Sequence, residues 1–318
     1  MLDEPAVDGV SFTHLDEPLF EGAGATKRDL VTYLDAVADQ LVAELQARPL
    51  SVIRVHRGER PFMQKNVPKY TPPWVQTVRM WAEASHRDVS YALCNDRRTL
   101  LWFANQRAVE YHPALFRAGA DTKPLYLVLD LDPPSADAFR QAVQAARLVR
   151  EALLEAHLVA AVKTSGAKGV HVFVPVAGAS FEDLAAAARA IAVRAERIDS
   201  SLATTAFLKE DRGGRVFLDS TRVGGATVVA AYSPRARPGV PVSFPVPWDA
   251  LDQITPADFS IHSAAQLLKN RDPWRDRMPA PQPLDPDLIA EGGSLPTPRV
   301  QAMHEGKRRA RARRTAAG

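Results

Sequence analysis

Two aspartates, Asp130 and Asp132, close the apolar run that begins at Tyr126, and Pro133 and Pro134 follow at once. Side chains alternate along an extended strand, so Leu125, Leu127, Leu129 and Leu131 share one face and Tyr126, Val128, Asp130 and Asp132 the other. The leucine face predicts burial against a core. The prolines, which cannot donate to a ladder, place the acids at its rim. Paired carboxylates repel each other, and a divalent cation between them relieves the repulsion. A solvated sheet edge accounts for the same spacing, and the pattern alone leaves both readings open.

A second stretch, Thr164-Ser165-Gly166-Ala167-Lys168-Gly169-Val170-His171, reads as a turn between strands. Glycines let the backbone approach a ligand, Ser165 and turn amides can donate to phosphate oxygens, and Lys168 adds a positive charge. It is not a P-loop, because the Gly-x-x-x-x-Gly-Lys-Ser/Thr order is missing and a strand follows. His171 shares a face with Phe173 and Pro175, opposite Val170, Val172 and Val174, and is either a phosphate donor or a structural histidine. Val216–Asp219 brings a third acid to the end of a hydrophobic strand. Three carboxylates would satisfy a pair of Mg²⁺ or Mn²⁺ ions about 3.5–4 Å apart. Arg222, Arg235 and Arg237 follow, either to neutralise a triphosphate or as a solvated basic loop.

The elements that must position these residues follow from periodicity. Thr26 is an N-cap candidate for a helix with Leu30, Leu34, Val37, Leu41 and Leu45 on one face, ended by Pro49. Leu50–Val55 reads as a strand. Arg54, Arg57, Arg60, Phe62, Met63, Lys65, Lys69, Tyr70 and Trp74, broken by Pro61, Pro68, Pro72 and Pro73, read as a surface loop. Its cations and rings suit phosphates and bases, or merely cover the core. Ser90–Cys94 and Leu100–Ala104 predict a hairpin about Asn95–Arg98, and Ala108–His112 a further piece. Ser135 would cap a helix to about His157, and Ser180, with Asp183 as capping-box acid, a helix to about Ile198. Leu158–Lys163, Val170–Val176 and the β-branched Thr227–Tyr232 predict strands, and Ile261–Asn270 a last helix. Lys307–Arg314, basic and without apolar periodicity, predicts a disordered tail.

Composition bounds the reading. The 318 residues, 46% hydrophobic and 24% charged, are ordinary for a globular chain of one large or two modest domains. A net charge of +3 only nudges the reading toward polyanions. The single cysteine, Cys94, excludes an internal disulfide and a multi-cysteine zinc site. No apolar run approaches the ~20 residues a bilayer needs, and the acidic start is no signal peptide, so a cytoplasmic protein is expected.

Together, Leu129-Asp130-Leu131-Asp132-Pro133, Ser165-Gly166-x-Lys168-Gly169-x-His171, Arg215-Val216-Phe217-Leu218-Asp219 and Tyr232-Ser233-Pro234-Arg235-Ala236-Arg237 resemble the polymerase domain of bacterial ligase D. That domain belongs to the archaeo-eukaryotic primase superfamily. The likeness extends from about residue 15 to Pro279 and takes in Pro61-Phe62-Met63-Gln64-Lys65 and Asp272-Pro273-Trp274-Arg275. It implies an α/β fold: a primase-like catalytic core (about 116–300) of mixed, mostly antiparallel sheet flanked by helices, with an associated N-terminal unit (about 1–115) in one compact body.

By the same resemblance Asp130, Asp132 and Asp219 would hold two Mn²⁺ or Mg²⁺ ions, with Asp219 helping to activate a primer 3′-hydroxyl. Ser165, Lys168, His171 and Arg235 would grip the incoming triphosphate, and His112, in Glu110-Tyr111-His112-Pro113, would lie near the nucleotide sugar. Phe62, Met63 and Lys65 would meet the DNA, Met63 replacing a second ring of the family's pair. Lys27 would take a 5′-phosphate across a gap, while Glu17 stands where the family usually has a second phosphate-binding lysine.

The implied activity is nucleotide addition to a primer 3′ end at short gaps or broken DNA ends, in repair by non-homologous end joining. The likeness also implies Mn²⁺ preference and ready use of ribonucleotides. Gapped or broken DNA and NTP or dNTP would be its partners, Ku and a separate DNA ligase the candidate proteins, and the nucleoid its place. No Lys-x-Asp-Gly ligase motif occurs, so a stand-alone polymerase is expected. Two other classes compete: a DNA-end binding factor without catalysis, and a phosphohydrolase built on Asp-x-Asp. The latter wants Thr or Val where Pro133 stands.

Overall fold

The computed structural model describes residues 6–297 apart from 57, 83–85, 120–121, 224–225 and 270. In chain order the elements are β1 (Ala6–Val7), β2 (Val10–Ser11), α1 (Lys27–Ala36), α2 (Ala38–Leu45), β3 (Pro49–Arg54), β4 (Phe62–Gln64), β5 (Thr77–Ala82), β6 (Arg87–Leu93), α3 (Arg97–Asn105) and β7 (Ala108–Pro113). There follow β8 (Tyr126–Asp132), α4 (Phe139–Glu155), β9 (Ala161–Thr164), β10 (Val170–Pro175), α5 (Phe181–Ile198), β11 (Ala203–Thr204), β12 (Val216–Asp219) and β13 (Pro245–Val246). Last come α6 (Ala264–Leu268), α7 (Pro273–Arg277) and α8 (Pro286–Ser294).

These α/β elements form two compact units interleaved along the sequence. The first takes its described residues from Met1–Leu125, Ala161–Ala167 and Gly225–Met278. Its hub is β3, antiparallel to β4, β6 and β7, with β5 paired to β6; β9 pairs antiparallel with β13. The second takes Tyr126–Ala160, Lys168–Gly224 and Pro279–Gly318. In it β8 lies between β10 and β12, antiparallel to both, and β11 runs parallel to β12. Helices α4 and α5 pack on these strands and on each other, and α8 packs on α5.

The alternation read from β8 explains its seat. Leu127, Leu129 and Leu131 are buried and contribute roughly 1.5–3 kcal/mol each, while Asp130 and Asp132 stay half-buried. Ser180 and Asp183 form the expected capping box on α5, satisfying two amides that the helix start leaves without partners. Thr26 and Asp29 do the same for α1.

Several expectations are corrected. The face Leu30, Leu34, Val37, Leu41 and Leu45 is buried throughout, but Val37 (φ −109°, ψ 15°) divides the helix into α1 and α2. Leu100–Ala104 is not a strand; it is the middle of α3, which Asp96 caps by accepting from the Thr99 amide. A short apolar run cannot separate a buried helix from a strand. Residues 227–232 also fail to form a strand. Ala230 N–H donates to Tyr111 O and Tyr232 N–H to Ser243 O, and Tyr232 turns to φ +67°, so neighbouring amides serve different partners. Ser135 makes no helix cap, and α4 starts at Phe139. Phe62–Gln64, read as loop, is an edge strand on β3. Arg57 and the basic Lys307–Arg314 lie outside the described residues. Among the described residues no helix is long and apolar enough to cross a membrane.

Candidate active site

In the second unit, strand register assembles an acid centre. Asp130 on β8 is the direct partner of His171 on β10 and of Asp219 on β12, so the three stand abreast on one face. His171 Nε2 lies 3.2 Å from Asp130 Oδ1. Arg222, three residues past Asp219, sends Nη2 to Asp130 Oδ2 at 2.9 Å and to Asp219 Oδ2 at 3.1 Å. Asp219 Oδ1 accepts from the Thr221 amide (2.9 Å) and hydroxyl (2.6 Å). Asp132 follows one pleat along, opposite Phe217, whose ring carries the Arg212 guanidinium 3.8 Å above it. Lys168 Nζ donates to the Pro133 carbonyl at 2.6 Å, tying the basic turn residue to the end of β8.

The charges separate the two acids of β8. Burial alone would raise the Asp130 carboxyl, but His171 and Arg222 outweigh it and hold the group well below the usual carboxylate range. Asp132 is pushed up, first by burial and then by the Asp130 charge, with Lys168, Arg212 and Arg222 opposing. Arg222 is held charged by Asp130 and Asp219 against the cost of burial.

Among the described residues no three His, Cys, Asp or Glu side chains stand close enough together to hold one ion. Two do converge: the Oδ2 atoms of Asp130 and Asp219 share a single cationic nitrogen. The donor set is oxygen only, which suits a hard divalent ion, and a positive charge already fits between the pair. Arg222, which the sequence left open between a triphosphate partner and a solvated loop, pairs with both acids.

The first unit holds a separate cluster. Glu110 on β7 takes His112 Nε2 at 2.8 Å and Arg235 Nε at 3.0 Å on one oxygen, and its other oxygen accepts from the Ala236 amide at 2.9 Å. Arg235 also donates from Nη1 to the Ser165 carbonyl. Gly166 (φ +66°) passes so near the backbone of Val242 and Ser243 that a Cβ would collide with both. This fixes the turn that presents Ser165.

Burial would raise the Glu110 carboxyl, yet His112, Arg235 and the Ala236 amide bring it down to about 2. Burial lowers His112 despite Glu110, so at neutral pH a neutral imidazole donates to an ionised carboxylate. Because the Glu110 carboxyl lies below its ordinary 4.5, it contributes stability above about pH 4.5 that is lost as pH falls toward 2. Glu110→Gln is therefore expected to remove about 3 kcal/mol at pH 7 and much less at pH 3, read from urea midpoints at the two pH values. An equal loss at both would show that the carboxylate charge is not what matters.

The remaining predicted residues stand elsewhere in the first unit. Phe62 and Met63 on β4 are 38% and 43% exposed, and Phe62 stacks on His56 at 5.3 Å. Lys65 is exposed. Lys27 is buried and donates to the Thr13 carbonyl at 2.6 Å, while Glu17 pairs with Arg107 at 3.4 Å. Sequence reasoning missed the roles of Glu110 and Lys163. Glu110 was signalled by its place two residues before His112 on one strand face. Lys163, buried in β9, donates to Ser243 Oγ at 2.6 Å; its only signal was a lysine inside an apolar strand.

Acids from adjacent antiparallel strands, with basic side chains on the same face and helices packed behind, make this an α/β protein whose site is suited to divalent ions and phosphate groups. A family profile for the LigD primase-polymerase domain matches residues 26–274, and the chain belongs to that family. It is 33% identical over 290 residues to the bifunctional non-homologous end joining protein LigD of Bacillus subtilis, covering 88% of this chain and 46% of that protein. It is 32% identical over 257 residues to the multifunctional non-homologous end joining DNA repair protein LigD of Mycobacterium tuberculosis, covering 76% and 33%. The chain thus spans less than half the length of these curated relatives. The solved polymerase domain from Mycobacterium tuberculosis ligase D, in complex with DNA, matches with a TM-score of 0.77 and 29% identity, over 85% of this chain and 97% of that one.

Proposed function

We propose that this chain is a DNA-repair polymerase that adds nucleotides to a primer 3′ end at short gaps or broken ends, using two divalent ions and favouring ribonucleotides. The observation that carries the reading is the strand register that sets Asp130 beside Asp219, with one oxygen of each turned to a single cationic position. Held by Asp130, Asp132 and Asp219, the ions would ease deprotonation of the primer hydroxyl and neutralise the departing pyrophosphate.

The chain's own groups supply the rest. His171 fixes the orientation of Asp130, and Lys168, tied to the end of β8, supplies positive charge for phosphate oxygens. In the other unit Arg235, braced by Glu110 and the Ser165 carbonyl, is proposed for the triphosphate, and neutral His112 for the sugar. The exposed Phe62, Met63 and Lys65 offer a ring, a soft apolar side chain and a cation to a nucleic acid. Lys27 is proposed for a 5′-phosphate. Manganese as the working ion, and Ku and a DNA ligase as partners, belong to the same proposal.

Extension of a labelled primer across a one-nucleotide gap, with Mn²⁺ and either NTP or dNTP, tests it. Product with both, and faster with NTP, is the expected result. No product with either would defeat the polymerase reading, and faster extension with dNTP would defeat the ribonucleotide preference.

A further inference from the structure

We infer that Arg222 is a built-in counter-cation for the acid pair. It holds, in the metal-free protein, the position between Asp130 and Asp219 that a divalent cation takes, and vacates it when the cation binds. The inference rests on reading these acids as a cation site.

Each acid has one oxygen secured by a local partner: Asp130 Oδ1 by His171 at 3.2 Å, and Asp219 Oδ1 by the Thr221 amide and hydroxyl at 2.9 and 2.6 Å. The two oxygens left over face one atom, Arg222 Nη2, at 2.9 and 3.1 Å. A guanidinium binds a carboxylate best as a fork, with two parallel N–H donors on two oxygens of the same group. Here one nitrogen serves two carboxylates, which is the task of a point charge. The pose also leaves a cost behind, since the buried Nε of Arg222 has no hydrogen-bond partner among the described residues.

Departure is easy by comparison. The side chain is 34% exposed, so it can move into solvent without opening the core. Asp219 keeps its Thr221 contacts when the guanidinium leaves, so the acid stays aimed. A side chain that occupies a cation's position lowers the apparent affinity for the cation by the fraction of molecules in which the position is free. Arg222 would therefore keep the acids neutralised when the protein holds no ion, and set how much free ion is needed to load it.

The test titrates Mn²⁺ into the full chain, reading free Mn²⁺ by electron paramagnetic resonance, for wild type, Arg222→Gln, Arg222→Lys and Asp130→Asn. Arg222→Gln is expected to bind Mn²⁺ about tenfold more tightly. Its metal-free melting temperature should fall, and its gain on adding Mn²⁺ should exceed that of wild type. Mn²⁺ affinity equal to or weaker than wild type would overturn the inference. Should Arg222→Gln not fold, Arg222→Lys decides in its place, because its shorter side chain reaches the two acids less well: tighter binding supports the inference, equal or weaker binding overturns it. If Asp130→Asn loses Mn²⁺ while the Arg222 variants bind it like wild type, the cation site stands and only the role of Arg222 falls. If Asp130→Asn binds Mn²⁺ as wild type does, both fall together.

Discussion

Asp130→Asn is expected to slow primer extension at least about a thousandfold, equivalent to about 4 kcal/mol of transition-state stabilisation. Asparagine keeps the shape and one carbonyl oxygen but removes the charge, and charge is what the position supplies. Asp130 sits between two strand neighbours that both belong to the centre, His171 on one side and Asp219 on the other. His171 and Arg222 hold its carboxyl well below the usual carboxylate range, so the side chain is an anion at any working pH. The neutral amide also offers an N–H₂ to Arg222 Nη2 or His171, a donor facing a donor. The fold should tolerate the change, because Arg222 retains Asp219 at 3.1 Å and the leucine face of β8 is untouched. Single-nucleotide extension under saturating primer, read with the melting temperature, checks this. Activity within tenfold of wild type would show that Asp130 is not part of the reacting centre.

The sequence exposes the parts of this centre whose signal is local and hides those whose signal is a distant partner. Alternation in Tyr126–Asp132 revealed both the buried leucines and the acid face, since a strand displays its two sides in the chain itself. The Ser180–Asp183 box was equally legible, because cap and acid lie three residues apart. Arg222 was not: its partner Asp130 is 92 positions away, and nothing near Arg222 separates an arginine for phosphate from one for carboxylate. Leu100–Ala104 misled for another reason. Both faces of α3 are covered, so the periodicity that marks a surface helix is erased, and its cap Asp96 lies in the polar stretch that read as a hairpin turn. Thr227–Tyr232 has the composition of a strand, but its anchoring is tertiary. Tyr33 Oη donates to the Tyr232 carbonyl at 2.8 Å and Tyr232 Oη donates to Asp272 at 2.6 Å.

Gly169→Val is expected to cost about 3 kcal/mol of stability and most of the extension activity, through backbone contact and not through any lost functional group. Gly169 immediately precedes β10, and a Cβ there would run into the carbonyl oxygen of Leu131, with Pro133 close behind. Leu131 is the residue between Asp130 and Asp132, and Val170 is its register partner. Neither wall of this contact is the end of a flexible side chain, so relief requires β10 and β8 to separate at the place where the acids stand. Separation there would pull His171 from Asp130 and Lys168 from the Pro133 carbonyl, disturbing both positioning contacts together. The measurement pairs thermal melting with gap extension and adds Gly169→Ala, whose single methyl meets the same oxygen. Alanine should already lose stability, and valine more. If alanine melts with wild type and extends as fast, the strands are not as close as this contact requires, and the acid centre is held in register by something other than the approach of Gly169 to Leu131.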